Sequence, residues 1–267
     1  MLKTIIWIFA VITLIAVTII LILYFGQEKL IFHPEKLPKN HKYSFNHNCE
    51  EHFIKVDDKT ELNALLFKGD SSKGLVFYLH GNAGNLDSWG DVADMYVKLN
   101  YDIFIIDYRG YGKSTGKISS ETQITKDIQI AYDFAKTSYD ENKIVIVGYS
   151  IGTGPAAQLA ANNNPGKLIL KAPYFNLTDL VKHYCPIVPS FILKYKFNTN
   201  RNLAKIDAPV YIFHGDKDEV IYYESSVKLS KLLKEHDEFI TLEGQVHNGI
   251  NDNENYIMHI NSLLGAD

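Results

Sequence analysis

Residues 143–154 read KIVIVGYSIGTG, and this stretch decides how the rest of the chain is interpreted. It begins as a nearly continuous apolar run, which is typical of a strand covered on both faces of a sheet. The run passes through Gly148-Tyr149-Ser150-Ile151-Gly152 into a helical pattern. A G-x-S-x-G sequence between strand and helix predicts a sharp turn that lifts the serine above the sheet, at a helix N-terminus that favours developing negative charge. Ser150 is therefore the candidate nucleophile.

Outward from this turn, β-rich and helical patterns alternate along the chain. The alternation and the apolar strand runs predict an α/β fold: a mostly parallel, twisted sheet of about eight strands flanked by helices. The first two strands, separated by a polar turn, suggest a hairpin at one sheet edge. The predicted strands lie near residues 52–56, 61–67, 74–79, 102–107, 143–148, 167–171, 208–213 and 238–242. The predicted helices lie near residues 86–99, 119–137, 151–162, 222–235 and 249–264.

A serine hydroxyl needs a base to take its proton, and the base needs an acid to orient it. Of ten histidines, His247 follows the last predicted strand and precedes the C-terminal helix, which favours it as the base. Asp216 and Asp218 follow another strand end, and chemistry alone does not choose between them. The chain order is serine, acid, histidine, which is the order of the α/β-hydrolase arrangement.

A reaction at Ser150 would also need N–H donors for an oxyanion. We expect one donor to be the backbone amide of Ile151, directly after the nucleophile. The second is expected in the glycine-containing loop 79–85, LHGNAGN, and we assign it to the amide of Asn82. His80, in the same loop, is interpreted as a structural histidine that binds loop carbonyls.

Five segments in this order, LHGNAGN, DYRGYGKSTG, GYSIGTG, HGDKDEV and QVHN, make the resemblance to a family specific. The chain resembles membrane-anchored α/β-hydrolases with a serine-aminopeptidase-like domain, a group that includes eukaryotic protein depalmitoylases and bacterial members. The resemblance runs from about residue 27 to the end and implies the α/β-hydrolase fold. The family pattern H-G-x-x-D-x-x-[VI] selects Asp218 as the acid. Asp107 and Arg109 match a family turn that is interpreted as structural.

The N-terminus carries a 21-residue stretch without a charge, which begins at Ile5 and ends at Phe25. It is long enough to cross a bilayer, and its aromatic ends are typical of membrane interfaces. A cleaved signal peptide is the alternative, but the apolar run is long and its exit is bulky. We predict a tail and transmembrane anchor in residues 1–25, a hydrolase domain in residues 26–267, and a single-pass membrane protein. The side of the membrane stays open.

About 36 residues between the sixth and seventh strands predict a short cap of two helices, TDLVKHY (178–184) and PSFILKYK (189–196). The cap carries an apolar set that either packs on the sheet edge or lines an acyl pocket and touches the bilayer. Its members are Ile187, Val188, Phe191, Ile192 and Leu193.

Composition excludes other classes of protein. The net charge of −4 and the absence of a basic stripe argue against nucleic-acid binding. Cys49 and Cys185 form no metal cluster and are expected to be buried free thiols, although pairing stays open. No metal or organic cofactor is implied.

The sequence predicts a hydrolase of carboxylic esters or thioesters, with lipids or acylated proteins as substrates. The alternatives are a serine peptidase and a non-catalytic, membrane-tethered interaction module.

Overall fold

The computed structural model describes residues 1–265, and its centre is an eight-stranded sheet. The strand order is β10-β9-β8-β7-β4-β6-β3-β2. The pairs β2–β3 and β3–β6 are antiparallel and the others are parallel, which confirms the mostly parallel sheet and places the β2–β3 hairpin at one edge. A separate parallel pair joins β1 and β5. The strands are β1 (His33–Pro34), β2 (Cys49–Lys55), β3 (Glu61–Phe67), β4 (Leu75–Leu79), β5 (Ala83–Gly84), β6 (Asp102–Ile106), β7 (Ile144–Tyr149), β8 (Lys167–Lys171), β9 (Val210–Gly215) and β10 (Glu238–Leu242).

Helices cover both faces of this sheet. Every residue of β4, β6 and β7 is buried, because side chains alternate between two apolar layers. Phe77, for example, packs in one layer and its neighbour Tyr78 in the other. The helices are α1 (Leu2–Ile31), α2 (Leu86–Trp89), α3 (Ala93–Lys98), α4 (Glu121–Lys136), α5 (Thr153–Ala161), α6 (Leu177–Tyr184), α7 (Thr199–Leu203), α8 (Glu224–Ser230) and α9 (Glu254–Gly265).

The predicted anchor lies within α1, a single helix of 30 residues. Its most apolar window has a mean hydropathy of 3.1 and is not buried by the rest of the molecule, so the helix is long and apolar enough to cross a membrane. The helix continues past the predicted boundary between residues 25 and 26. Its last turn packs on the domain, where Gln27 is buried.

The prediction of a second cap helix over residues 189–196 is wrong. Only a 3₁₀ turn forms, from Ser190 to Ile192, and Leu193 directly after it is extended. Its backbone groups bond to distant side chains instead: the carboxylate of Glu121 accepts from the amides of Lys196 and Phe197. These long-range bonds replace the local bonds that a helix would need.

Other predicted helices are shorter than their patterns suggested. Helix α8 stops at Ser230, and the Lys234 amide is held by Asp237 Oδ2 at 2.8 Å. The pattern near 86–99 is divided into α2, a 3₁₀ turn and α3.

Both cysteines are free thiols, but Cys49 is only partly buried and Cys185 is exposed, so the expected burial was wrong.

Candidate active site

Ser150 occupies a strained turn between β7 and α5. Its φ of 52° lies in the left-handed region, which costs free energy for a residue with a side chain. Two glycines make the turn possible. A Cβ on Gly148 would lie 2.7 Å from the Cβ of Ala156, and one on Gly152 would lie 2.3 Å from the Leu79 carbonyl oxygen. The sequence therefore folds here into a tight elbow that presents the Ser150 hydroxyl at the carboxyl end of the sheet.

His247 lies against this hydroxyl. Its Nε2 is 3.0 Å from Ser150 Oγ, although the two residues are 97 positions apart in sequence. The imidazole stacks on the ring of Tyr149 with the ring centroids 5.6 Å apart, and the Tyr149 hydroxyl donates to the His247 carbonyl oxygen at 2.5 Å. The residue directly before the serine thus holds the histidine. Sequence reasoning missed this role of Tyr149, which occupies an unspecified position of the motif.

Asp218 completes the chain of contacts. Its Oδ2 is 2.7 Å from His247 Nδ1 and 3.2 Å from Nε2 of the buried His214. Its Oδ1 accepts hydrogen bonds from the amides of Val220 at 2.9 Å and Ile221 at 2.8 Å. Burial alone would raise the pKa of this carboxyl, but the hydrogen bonds from His214, His247 and the Ile221 amide, together with the charge of His247, hold the pKa well below its usual range. Asp218 is therefore a carboxylate at neutral pH.

Asp216 has a different environment. Its Oδ1 accepts from the Gly244 amide at 2.6 Å in an exposed turn. The structure thus brings Asp218, and not Asp216, to the imidazole of His247. The family pattern selects the same carboxylate, and its role as the acid stays a prediction.

The loop after β4 also borders the space over Ser150. Asn82 and Ile151 line the same cavity as Ser150. The Asn82 side chain is fixed, since its Oδ1 accepts from the His33 amide at 3.1 Å and from the Tyr111 hydroxyl at 3.2 Å. Ile151 is the second residue of the 3₁₀ turn Ser150–Gly152, where an amide has no acceptor within the turn. Both residues thus border the space over Ser150.

His80 lies behind this loop and not against Ser150. It is fully buried, its Nδ1 is 2.6 Å from the Gly81 carbonyl oxygen, and its Nε2 is 3.3 Å from Asp107 Oδ1. Burial raises the pKa of Asp107, and the bond from His80 partly offsets this. Arg109 pairs with Asp57 and Asp127. These contacts fit the structural roles expected for His80, Asp107 and Arg109.

A cavity of about 410 Å³ lies over Ser150 and is lined mainly by apolar side chains. Within residues 1–265, its lining contains no Asp or Glu. Of the apolar set in the cap, Leu193 lines the cavity and Ile192 is buried, whereas Ile187 and Phe191 are exposed. The other apolar lining residues include Leu30, Ile31, Leu177, Leu180, Val181, Val220 and Ile221. Leu30 and Ile31 belong to α1, so the end of the predicted anchor forms part of the cavity wall, which sequence reasoning did not foresee.

Lys171 is a second residue that the sequence did not single out. It is fully buried at the end of β8, beside Tyr149 in the register of the sheet. Its ammonium donates to the Tyr78 hydroxyl at 2.8 Å and to Asn251 Oδ1 at 2.7 Å, and burial lowers its pKa to about 7. The bond to Asn251 fastens the loop that carries His247 to the sheet.

Across residues 1–265, no three His, Cys, Asp or Glu side chains are grouped so that they could hold a metal ion. The site is built from protein groups that exchange protons: a hydroxyl, an imidazole and a carboxylate joined in series. Such a series can move a proton from the hydroxyl to the imidazole while the carboxylate stabilises the resulting charge.

Comparison with known proteins agrees with this architecture. The family model "Serine aminopeptidase, S33" matches residues 70–199. The chain is 30% identical to the human alpha/beta hydrolase domain-containing protein 17B over 203 residues, which are 74% of this chain and 68% of that one. It is 31% identical to Protein bem46 of Schizosaccharomyces pombe over 227 residues, which are 78% of this chain and 75% of that one.

Solved structures show the same fold. The esterase PF2001 of Pyrococcus furiosus superimposes with a TM-score of 0.70 at 17% identity, over 88% of this chain and 96% of the other. Est1E of Butyrivibrio proteoclasticus superimposes with a TM-score of 0.66 at 20% identity, over 81% and 99% of the two chains. The family resemblance predicted from the motifs is confirmed. The chain belongs to the α/β-hydrolase superfamily.

Proposed function

We propose that the protein is a membrane-anchored serine hydrolase that cleaves carboxylic esters or thioesters through an acyl-enzyme on Ser150. The observation that carries the proposal is the hydrogen-bonded series Ser150–His247–Asp218 at the floor of an apolar cavity. The solved neighbour PF2001 of Pyrococcus furiosus is named as an esterase, which supports ester chemistry.

In the first half of the reaction, Ser150 Oγ attacks the acyl carbonyl carbon while His247 Nε2 takes the hydroxyl proton. The imidazolium that forms is stabilised by Asp218, whose carboxylate is held ionised by the contacts described above. His247 then gives the proton to the departing alcohol or thiol. The carbonyl π electrons move to oxygen during the attack and return when the leaving group departs.

The transient oxyanion is held by the backbone amides of Asn82 and Ile151. Water then enters, loses a proton to His247 and attacks the acyl-enzyme. The carboxylic acid leaves as Ser150 recovers its proton from the imidazolium. The proton transfers use groups that already lie in contact, so little reorganisation is needed when charge develops on the imidazole.

The cavity lining favours an acyl substrate over a peptide. An aminopeptidase has to bind a free ammonium, for which a carboxylate is the natural partner, and the cavity lining described in residues 1–265 has none. The resemblance to protein depalmitoylases adds thioesters of acylated proteins to the candidate substrates. The apolar walls from α1 and α6 suit a hydrocarbon chain.

A fluorophosphonate probe tests the mechanism directly, since it reacts with an activated serine. We expect the full chain to be labelled, Ser150→Ala to lose labelling, and Ser71→Ala, a change at an exposed serine, to keep it. A folded wild-type protein that is never labelled would instead favour the non-catalytic interaction module.

Matched substrates test the specificity. A panel of p-nitrophenyl esters of rising chain length, a thioester and an amide of the same acyl group separate the candidates. We expect turnover of the ester and the thioester and little of the amide, because an amine is the poorest leaving group of the three. Preferred cleavage of the amide or of a free peptide N-terminus would favour the peptidase.

A further inference from the structure

The end of the anchor helix is fastened to the cap of the catalytic site. Gln27 Nε2 donates to the Ile192 carbonyl oxygen at 2.7 Å, and Gln27 Oε1 accepts from the Lys194 amide at 2.8 Å. Glu28 adds an ion pair with Lys194 at 3.1 Å and accepts from the Tyr195 hydroxyl at 3.0 Å. Because α1 is one unbroken helix, these bonds fix how far the cap lies from the apolar part of the anchor.

That distance can be worked out from the helix rise. The apolar run of 21 residues spans about 31 Å, close to the thickness of a hydrocarbon core of about 30 Å. Gln27 lies about 3 Å beyond the end of the run at Phe25, and Leu30 about 7.5 Å beyond it. The headgroup layer is about 5 to 7 Å thick. The cap segment bonded to Gln27 therefore lies at the level of the headgroups.

A second contact gives the same depth. The ammonium of Lys194 lies 4.8 Å from the ring centroid of Tyr24 and 5.9 Å from that of Phe25. These two rings end the apolar run, where interfacial aromatic side chains belong. The cap thus lies beside the aromatic end of the anchor.

Two large apolar side chains of the cap are exposed. The cap turn, residues 187–193, holds Phe191, which is 79% exposed, and Ile187, which is 90% exposed. Phe191 directly precedes Ile192, whose carbonyl is bonded to Gln27. Neither exposed side chain lines the cavity over Ser150. Exposed large apolar side chains in one turn are typical of a surface that meets a partner or a membrane.

Charge near the same helix end is complementary to a membrane surface. A cavity of about 510 Å³ beside α1 is lined by Lys29, Lys36 and Lys117, together with the Lys194–Glu28 pair. Lysines at headgroup depth attract anionic lipids. Three observations thus identify one occupant for the exposed cap turn: its bonds to the anchor helix, the depth of Gln27 and the lysines beside the helix end. That occupant is a lipid leaflet.

We propose that the cap turn is a second membrane contact: Phe191 and Ile187 insert into the leaflet in which the anchor ends, and the cavity over Ser150 takes acyl chains from that leaflet. Leu30 and Ile31 are at once the end of α1 and a wall of the cavity, so the cavity over Ser150 lies directly beside the end of the anchor. The substrate half of this proposal rests on the proposed function, whereas the membrane contact does not.

The contact is tested with an environment-sensitive NBD label on the full-length protein in vesicles of phosphatidylcholine and phosphatidylglycerol. The label is attached at Phe191→Cys in a Cys49→Ser, Cys185→Ser background, with Ile187→Cys as a second position. Met258→Cys is the control, since Met258 is exposed on α9, which packs on the other face of the sheet. Circular dichroism melting checks that each labelled protein is folded.

We expect blue-shifted emission and quenching by doxyl-labelled lipid at positions 191 and 187, and aqueous emission at 258. Aqueous emission at all three positions, with equal quenching by iodide in solution, would overturn the membrane contact.

The substrate half is tested with the double variant Ile187→Ser, Phe191→Ser. We expect its kcat/KM to fall about tenfold on a long-chain thioester embedded in vesicles and to be unchanged on soluble p-nitrophenyl acetate. An equal kcat/KM for the vesicle substrate would overturn the route from the leaflet. Wild-type protein that hydrolyses neither substrate would overturn the proposed function, and the label would still decide the membrane contact.

Discussion

The most informative single change is Asp218→Asn, because the structure determines where each atom of the new amide would go. Two backbone amides, those of Val220 and Ile221, bond to Asp218 Oδ1. An asparagine keeps these bonds only if its oxygen takes the Oδ1 position. Its NH₂ group then takes the place of Oδ2, 2.7 Å from His247 Nδ1.

An NH₂ group at that place would donate to Nδ1 and so leave the His247 proton on Nε2. Nε2 is the atom that faces Ser150 Oγ at 3.0 Å, and in this tautomer it cannot accept the hydroxyl proton. Loss of the correct tautomer in a triad of this type lowers turnover about 10⁴-fold, equivalent to about 5.4 kcal/mol in the activation barrier. We expect a loss of that order here.

Asp216→Asn is the matched control, with the same chemical change two residues away. The new side chain keeps an oxygen for the Gly244 amide and has no bond to His247, so turnover is expected to stay within about threefold of wild type. The assay is kcat on p-nitrophenyl butyrate at neutral pH, with thermal melting to check folding. A larger loss for Asp216→Asn, or a folded Asp218→Asn protein with nearly full turnover, would refute the reasoning.

Three further changes test other parts of the site. Tyr149→Phe removes the bond to the His247 carbonyl and should lower kcat about tenfold with little change in KM; equal kcat would exclude a positioning role. Burial lowers the pKa of Lys171, so between about pH 7 and 10.5 the folded wild type binds fewer protons than the unfolded chain, and its free energy of unfolding rises with pH. Lys171→Met removes this group and should flatten the rise. Denaturant unfolding across that interval measures the slope, and an unchanged slope would contradict this. Leu180→Trp narrows the cavity and should reduce kcat/KM about tenfold for a dodecanoyl ester but not for an acetyl ester; equal losses would argue against an acyl chain beside α6.

The three residues of the candidate site could be found from sequence because each is tied to a local signal. Ser150 sits in a turn that two glycines make possible, and His247 and Asp218 follow strands whose apolar runs are unambiguous. In a mostly parallel sheet the strand ends meet at one edge, so residues distant in sequence are expected to lie together. The geometry of His247 and Asp218 follows from this topology.

The surroundings of the site could not be predicted in the same way, because they depend on contacts between distant segments. The 189–196 pattern looked helical, yet Gln27 and Glu121 bind its backbone groups from other parts of the chain. Lys171 reads as an ordinary strand residue until three tyrosine rings and Asn251 surround it. Local patterns contain no information about such partners.

In the proposed membrane-anchored protein, the joint between α1 and the domain links the depth of the site in the membrane to the shape of its cavity. A flexible linker after Phe25 would leave the cap at no fixed depth, but α1 continues unbroken to Ile31 and is held through Gln27. The number of residues between the apolar run and Gln27 therefore sets the level of the cap, because each residue adds about 1.5 Å along the helix. The same last turn supplies Leu30 to the cavity wall. Under the two proposals made above, the segment that ends α1 therefore determines both how deep the cavity lies and what a bound acyl chain touches.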